Sequence, residues 1–463
     1  MVSKADAGAP EAVEPGLATA TMGWTGILII MGEGAVPAVT PSRRIKMAVV
    51  GGGSTYTPEL VDGIGRLGEQ LGVEELALTD PAAERLAVVS SVSKRILAKL
   101  GHAGKVTSTT NRDAAIADAS VVLIQLRVGG QAARAVDEAF PLQCGCVGQE
   151  TTGAGGLAKA LRTVPVVRDI ADRVSRLAAS DAWIIDFTNP VGIVTRALLD
   201  AGHRAVGLCN VAIGNQRAAA AALGVNPGQV SLDHVGLNHL SWTRRVMVDG
   251  EDRLPQLLAD FADSLAARSG MPADFVRRLG MWPSYYLRFF YEHDHVVAEQ
   301  RAKPSRAEEV AAIERQLLDI YADPSVAEKP ALLEQRGGAY YSEAAVELMA
   351  SLLGDREGVH VVDLRNDGTL PFLPDAAVVE VPARVGPQGP VAEAVTTVDP
   401  LCAGLIAHVS AYEELAVDAA LHGGRERVFR ALLAHPLVGQ RKAADQLTDL
   451  LLAANRDYLR WLA

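Results

Sequence analysis

Apolar residues follow two rhythms along this chain. Between residues 45 and 209 they come in short unbroken runs, at 45–50, 75–79, 119–126, 181–187 and 205–209. Each run is too brief for a helix and is bounded by glycine or polar residues, as strands buried on both faces are. A Thr-rich run at 105–109 reads as one more strand, and 82–100 and 113–118 read as helices between them. Alternation of this kind predicts βαβ units and a parallel sheet.

Beyond residue 212 the rhythm changes. Residues 230–242 read as strand, and helical periodicity then dominates 254–268, 306–321, 342–353, 401–421 and 428–461. Short strands are expected at 359–364 and 377–381, between Pro- and Gly-rich turns. The expected fold class is α/β, with a Rossmann-like, doubly wound parallel sheet of the lactate/malate dehydrogenase plan over 44–211. A mixed α+β part over 212–463 would cover its strand ends and carry substrate and oligomer contacts.

Residues 1–43 carry neither rhythm and are rich in Ala, Gly, Pro and Glu, so a disordered extension is expected, with folded chain beginning near Arg44. The apolar stretch 24–31 is far shorter than the ~20 residues of a spanning helix. Asp6, Glu11 and Glu14 do not fit the basic start of a signal peptide. A net charge of −11 disfavours nucleic acid or an anionic membrane as partner and makes any basic pocket conspicuous. Four cysteines (Cys144, Cys146, Cys209, Cys402) are too few and scattered for a disulfide framework, which points to a reduced, cytoplasmic protein.

The first apolar run ends in Gly51, Gly52 and Gly53, where the backbone can turn tightly against a large anion. Ser54 and Thr55 follow at a helix start, where free N–H groups favour a pyrophosphate. The second run finishes on Asp80, an acceptor for ribose hydroxyls that would repel a 2′-phosphate, so NAD is the expected dinucleotide. The alternative is a plain βα turn with Asp80 as a cap. Strand ends of such sheets carry ligands, which adds Arg127, Asn189, Cys209 and Asn210 as candidates. Cys209 and His239 offer a thiolate and an imidazole for one divalent metal. Equally, they read as a small apolar residue and a core histidine. The Gly-rich segment 148–156 reads as a pocket lid or a crossover, Tyr285 to Tyr291 as an aromatic core patch, and Cys144 with Cys146 as packing residues.

Together, Gly51-Gly-Gly-Ser, Arg127-Val-Gly-Gly, Gly148-Gln-Glu-Thr-Thr-Gly-Ala-Gly-Gly, Thr188-Asn-Pro, Cys209-Asn-Val, Gly236-Leu-Asn-His and Pro283-Ser-Tyr-Tyr-Leu resemble glycoside hydrolase family 4, in particular its 6-phospho-β-glucosidases. The likeness runs over about residues 45 to 460. Members use NAD and a divalent ion rather than a carboxylate pair. The resemblance implies that Cys209 and His239 hold the ion, usually Mn2+, and that Tyr286 is the base. It implies that Arg134 and Arg306 bind the sugar 6-phosphate and that Asn189 contacts sugar hydroxyls. Asn210 stands where α-specific members tend to carry Asp, which favours β-glycosides. Ala212 and Phe289-Phe290 stand where proline and tyrosines are common, which leaves the substrate's details open. The implied mechanism oxidises C3 with NAD⁺, removes the now acidic C2 proton, expels the aglycone, adds water and returns the hydride. The implied assembly is a homodimer or homotetramer. The alternatives are a family 4 enzyme for a different or non-phosphorylated glycoside, a simple NAD-dependent 2-hydroxy acid dehydrogenase, and an NAD-sensing regulator.

Overall fold

Six parallel strands form where the apolar runs lie: β1 (Ile45–Val50), β2 (Val73–Thr79), β3 (Lys105–Thr109), β4 (Val121–Ile124), β5 (Trp183–Asp186) and β6 (Ala205–Gly207). They stand in the order 3-2-1-4-5-6, the doubly wound arrangement. The computed structural model describes residues 44–67, 71–337, 340–354 and 357–462; the extension expected over 1–43 lies outside the described residues. Order reverses between β1 and β4, and such switch points are where ligands of open α/β sheets sit.

The sheet does not stop at β6. Strands from the second half, β11 (Gly358–Arg365), β12 (Val378–Gly386) and β13 (Gly389–Ala392), continue it in antiparallel fashion to nine strands. The boundary expected between 211 and 212 falls at the start of a helix, Val211–Leu223. A single apolar cluster runs from Leu123 and Ile185 in the sheet to Leu447 and Leu451 near the C-terminus. Among the described residues no helix is long and apolar enough to cross a membrane.

The strand expected over 230–242 is instead a hairpin, β7 (Val230–Leu237) and β8 (Leu240–Val248), with β9 (Glu251–Asp252) and β10 (Trp282–Pro283) paired to β8. Asn238 and His239 make the two-residue turn, and His239 takes the left-handed conformation at φ 62°. That turn lacks the Asn-Gly or Asp-Gly signature of a tight hairpin. The helical stretches 254–268 and 428–461 are also divided, at Phe261 and at the segment 435–440.

Register across the sheet creates an unusual row. Glu380 pairs with Asp363, Asp363 with Gly207, and Gly207 with Asp186, so three buried carboxylic acids flank one glycine on a single face. Like charges directly opposite each other destabilise a sheet. A fourth acid, Glu413 on the helix Pro400–His422, closes in from above, with Oε1 2.9 Å from where a Cβ on Gly192 would be. Burial, reinforced by these neighbours, pushes the Asp363 carboxyl well up, and burial alone does the same for Asp186. Glu413 is pushed to about 8 by burial, with Arg196 pulling weakly the other way. The folded form therefore binds these protons more tightly than the unfolded chain. The resulting stability is fully present below the ordinary carboxylate pKa and is lost as pH rises through the folded value. Thermal unfolding between pH 5 and pH 9 should show Tm falling across that window, with each such acid contributing up to about 1.4 kcal/mol per pH unit. Glu413→Gln should flatten the slope.

Candidate active site

The parallel strands end on one level. Thr109, Thr79, Val50, Ile124, Asp186 and Gly207 are register partners in sequence across the sheet. The residues that follow them form the floor of a cavity of about 1250 Å³, larger than the roughly 300–1,000 Å³ of an ordinary ligand pocket. Gly51, Ser54, Asp80, Arg127, Arg134, Asn189, Asn210, His239 and Tyr286, all singled out in the sequence, line it together.

The glycine turn shows three separate roles. Gly51 and Gly52 N–H both donate to Thr79 O, at 3.0 and 2.9 Å. Gly51 sits at φ +87°, and a Cβ there would lie 2.4 Å from Gln125 O, so this residue lets the β1 and β4 ends meet. Gly52 and Gly53 do not line the cavity. A Cβ on either would strike Leu78 or the Asp80 carboxyl at 2.8 Å, so they are small to pack against β2. Asp80 accepts from Gly53 N at 3.2 Å and from Ala82 N at 2.9 Å, as a turn cap does, and it also lines the cavity. Thr55 is buried outside the cavity, and its carbonyl accepts from Tyr321 Oη at 2.8 Å. Its hydroxyl is buried with no hydrogen-bond partner among the described residues, and the fold does not bring it to the cavity lining.

Basic side chains gather on one wall. Arg127 follows β4, Arg134 lies on the helix Gly130–Ala139, and Lys159 on the helix Gly153–Leu177. All three reach Glu150: Lys159 Nζ at 2.7 Å, Arg134 Nε at 3.3 Å, and Arg127 through a two-pronged pair. Arg134 also bonds Glu138 at 2.7 Å, which leaves three basic groups to two carboxylates. Burial pushes Arg127 down to about 9, with repulsion from Arg134 next, and pushes Lys159 well down, with repulsion from Arg127 and Arg134. An arriving anion would relieve that strain. Sequence reasoning missed Glu150, whose signal was one carboxylate inside a glycine-rich segment. Arg306, expected here, is not brought to the cavity. It opens the helix Arg306–Ala322 and turns outward to Glu309 at 2.9 Å and Gln335 O at 2.7 Å.

Opposite these cations, β8–β10 pairing carries Tyr286 to the hairpin turn, and Ser284 N–H donates to Ser241 O at 2.9 Å. The rings of His239 and Tyr286 stack 3.6 Å apart at 9°. Burial pushes the Tyr286 phenol well up and the His239 imidazole down to about 3, the latter with repulsion from Lys159. Cys209 lies two residues past β6 and is buried just off the cavity lining, beside Asn210. Burial raises its thiol well above the ordinary range and Glu380 adds to this, while the N–H groups of Val211 and Asn210 act against them. Asn189 lines the cavity, and its Oδ1 is buried with no hydrogen-bond partner among the described residues. Cys144, intermediate in exposure, and Cys146, in the core, behave as packing residues.

A doubly wound sheet with this site is shared by a defined group of enzymes. Profiles described as Family 4 glycosyl hydrolase and Family 4 glycosyl hydrolase C-terminal domain match residues 46–225 and 234–438, and the chain belongs to that family. It is similar to a probable 6-phospho-beta-glucosidase of Bacillus subtilis (strain 168), 36% identical over 433 residues, spanning 90% of this chain and 98% of the relative. It is also similar to the structure of the 6-phospho-beta-glucosidase from Thermotoga maritima with manganese, NAD+ and glucose-6-phosphate, at a TM-score of 0.84 and 34% identity, covering 90% of this chain and 98% of that one. A lactate dehydrogenase from Cryptosporidium parvum, 16% identical over 82% of this chain and 99% of its own, shares the fold at a TM-score of 0.53.

Gly51→Ala should lower stability by more than about 1 kcal/mol, because a positive φ and the Gln125 carbonyl both oppose a Cβ. Thermal unfolding in the absence of any ligand would measure it. Gly130→Ala, also at positive φ but with open space around the added carbon, provides the comparison and should cost less.

Proposed function

We propose that this chain hydrolyses 6-phospho-β-glucosides, using NAD and a divalent cation such as Mn2+. The carrying observation is the excess of basic groups around Glu150, facing the same cavity as the stacked His239 and Tyr286. Arg134, with Arg127 and Lys159 beside it, suits a phosphate carried by the sugar. Gly51, Ser54 and Asp80 line the end of the cavity where a dinucleotide's phosphates and ribose would rest. Cys209 and His239 would supply a thiolate and an imidazole, and a cation such as Mn2+, which favours oxygen donors, would take its remaining ligands as oxygens. Among the described residues no group of three His, Cys, Asp or Glu is arranged to hold an ion, so ligand oxygens would complete the set.

When bound, NAD supplies a temporary hydride acceptor and the cation supplies Lewis acidity, which together make a sugar C2–H acidic. The chain's own residues do the rest. Tyr286 takes the C2 proton, and the positive charge of a bound cation offsets the burial that otherwise keeps the phenol protonated. Asn189 accepts from a sugar hydroxyl. Asn210, unlike an aspartic acid, has no proton to offer the leaving group, which suits a β-linked aglycone. Loss of the proton expels the C1 substituent, and water adds to the double bond that remains. Cytoplasmic location and a homodimer or homotetramer complete the reading. They accord with four unpaired cysteines, and light scattering would check the assembly.

A nitrophenyl 6-phospho-β-glucoside should release nitrophenol only with NAD⁺, Mn2+ and reductant together, with no net NADH. Stoichiometric NADH would instead favour the dehydrogenase alternative. Tyr286→Phe should slow exchange of the C2 hydrogen with solvent while NAD binding is retained. Arg134→Ala should raise KM for phosphorylated glucosides roughly 10- to 150-fold, the loss of about 1.5–3 kcal/mol of charged hydrogen bonding, with little change for plain glucosides.

A further inference from the structure

The segment 148–156, which supplies Glu150 to the cavity wall, also reaches the ring of His239. Thr151 Oγ1 lies 2.8 Å from Gln149 Oε1 and 2.9 Å from His239 Nδ1. A threonine hydroxyl has one proton to give and lone pairs to accept with. Gln149 Oε1 must be the carbonyl oxygen of its amide, because the backbone N–H groups of Thr151 and Thr152 both donate to it, the latter at 3.0 Å. Had Thr151 turned its proton to His239, two oxygens would face each other lone pair to lone pair at 2.8 Å. The proton therefore goes to Gln149, and Thr151 accepts from Nδ1–H.

We propose that Gln149 and Thr151 are positioning residues that hold His239 as its Nδ1–H tautomer, leaving the Nε2 lone pair for a divalent cation. A neutral imidazole carries a proton on only one nitrogen, so its location decides which nitrogen can serve as a ligand. In water the opposite tautomer of histidine is the commoner one, and it would present an N–H where a ligand atom is needed. Stacking on Tyr286 and the tight turn at Asn238–His239 restrict the ring from turning over to exchange its nitrogens. What Nε2 meets rests on the metal reading above; the tautomer itself is a property of the metal-free protein.

Nitrogen NMR of the metal-free protein, labelled at histidine, tests the tautomer directly. The expected result is His239 with a protonated Nδ1 and a bare Nε2, unchanged in Thr151→Ser and shifted toward Nε2–H in Thr151→Val. Gln149→Met, which removes the acceptor but keeps the hydroxyl, should also loosen the preference and serves if the valine variant does not fold. Manganese titration followed by electron paramagnetic resonance should show affinity about 10- to 100-fold weaker in Thr151→Val and within about threefold of the parent in Thr151→Ser. An unchanged tautomer in both Thr151→Val and Gln149→Met would overturn the proposal, as would a serine variant as defective as the valine one. A parent protein that keeps Nδ1–H yet binds no manganese would remove the metal assignment and leave the positioning role in place.

Discussion

Hydrogen bonding between neighbouring parallel strands brings Thr109, Thr79, Val50, Ile124, Asp186 and Gly207 into one line. Because these residues end or nearly end their strands together, the chain leaves the sheet at a common level. Gly51, Asp80, Gln125, Phe187 and Leu208 then meet along one rim. Each site residue is placed by that shared register or by an element docked on it. The Arg127 guanidinium stands one turn past β4, and Cys209 two residues past β6. The β7–β8 hairpin brings His239 from the second half, and its pairing with β10 brings Tyr286.

The rim separates two electrostatic territories. Basic groups crowd around Glu150 on one wall, and below the β5, β6, β11 and β12 ends lie buried acids with unmet oxygens on Asp186, Asp363 and Glu413. Burial drives Arg127 and Lys159 in the first place, and Asp186, Asp363 and Glu413 in the second, toward their neutral forms. Tyr286 and Cys209 follow the same rule and hold their protons. A site built this way is quiet when empty, since a phenolate and a thiolate form only when charge enters to stabilise them. That arrangement suits chemistry in which a premature proton transfer would be wasted.

Much of this was legible in the residues. The run 45–50 closed by three glycines announced β1 and its turn, and topology alone singled out Arg127, Asn189, Cys209 and Asn210 as strand-end residues. Tyr286 was not legible that way. Among Tyr285, Phe289, Phe290 and Tyr291 it looks like core, and only resemblance distinguished it. Glu150 stayed hidden because its three partners come from separate segments, at 127, 134 and 159, that no local pattern links. Arg306 failed for a related reason, since which face a helix-opening residue presents depends on its i,i+3 partner Glu309 and on Gln335 from another segment. Gly52, Gly53 and Thr55 were right as a turn, but pattern reading could not divide ligand-facing positions from those pressed against β2.

The extension of the sheet by β11, β12 and β13 has a consequence for how the protein can be dissected. With those strands present, β6 is interior; cut the chain after the first family segment and β6 becomes a margin with free N–H and C=O groups, a template for pairing with foreign chains. The first half of the chain thus carries an adhesive flank that only its own downstream sequence is shaped to cover, and expressing it alone invites aggregation.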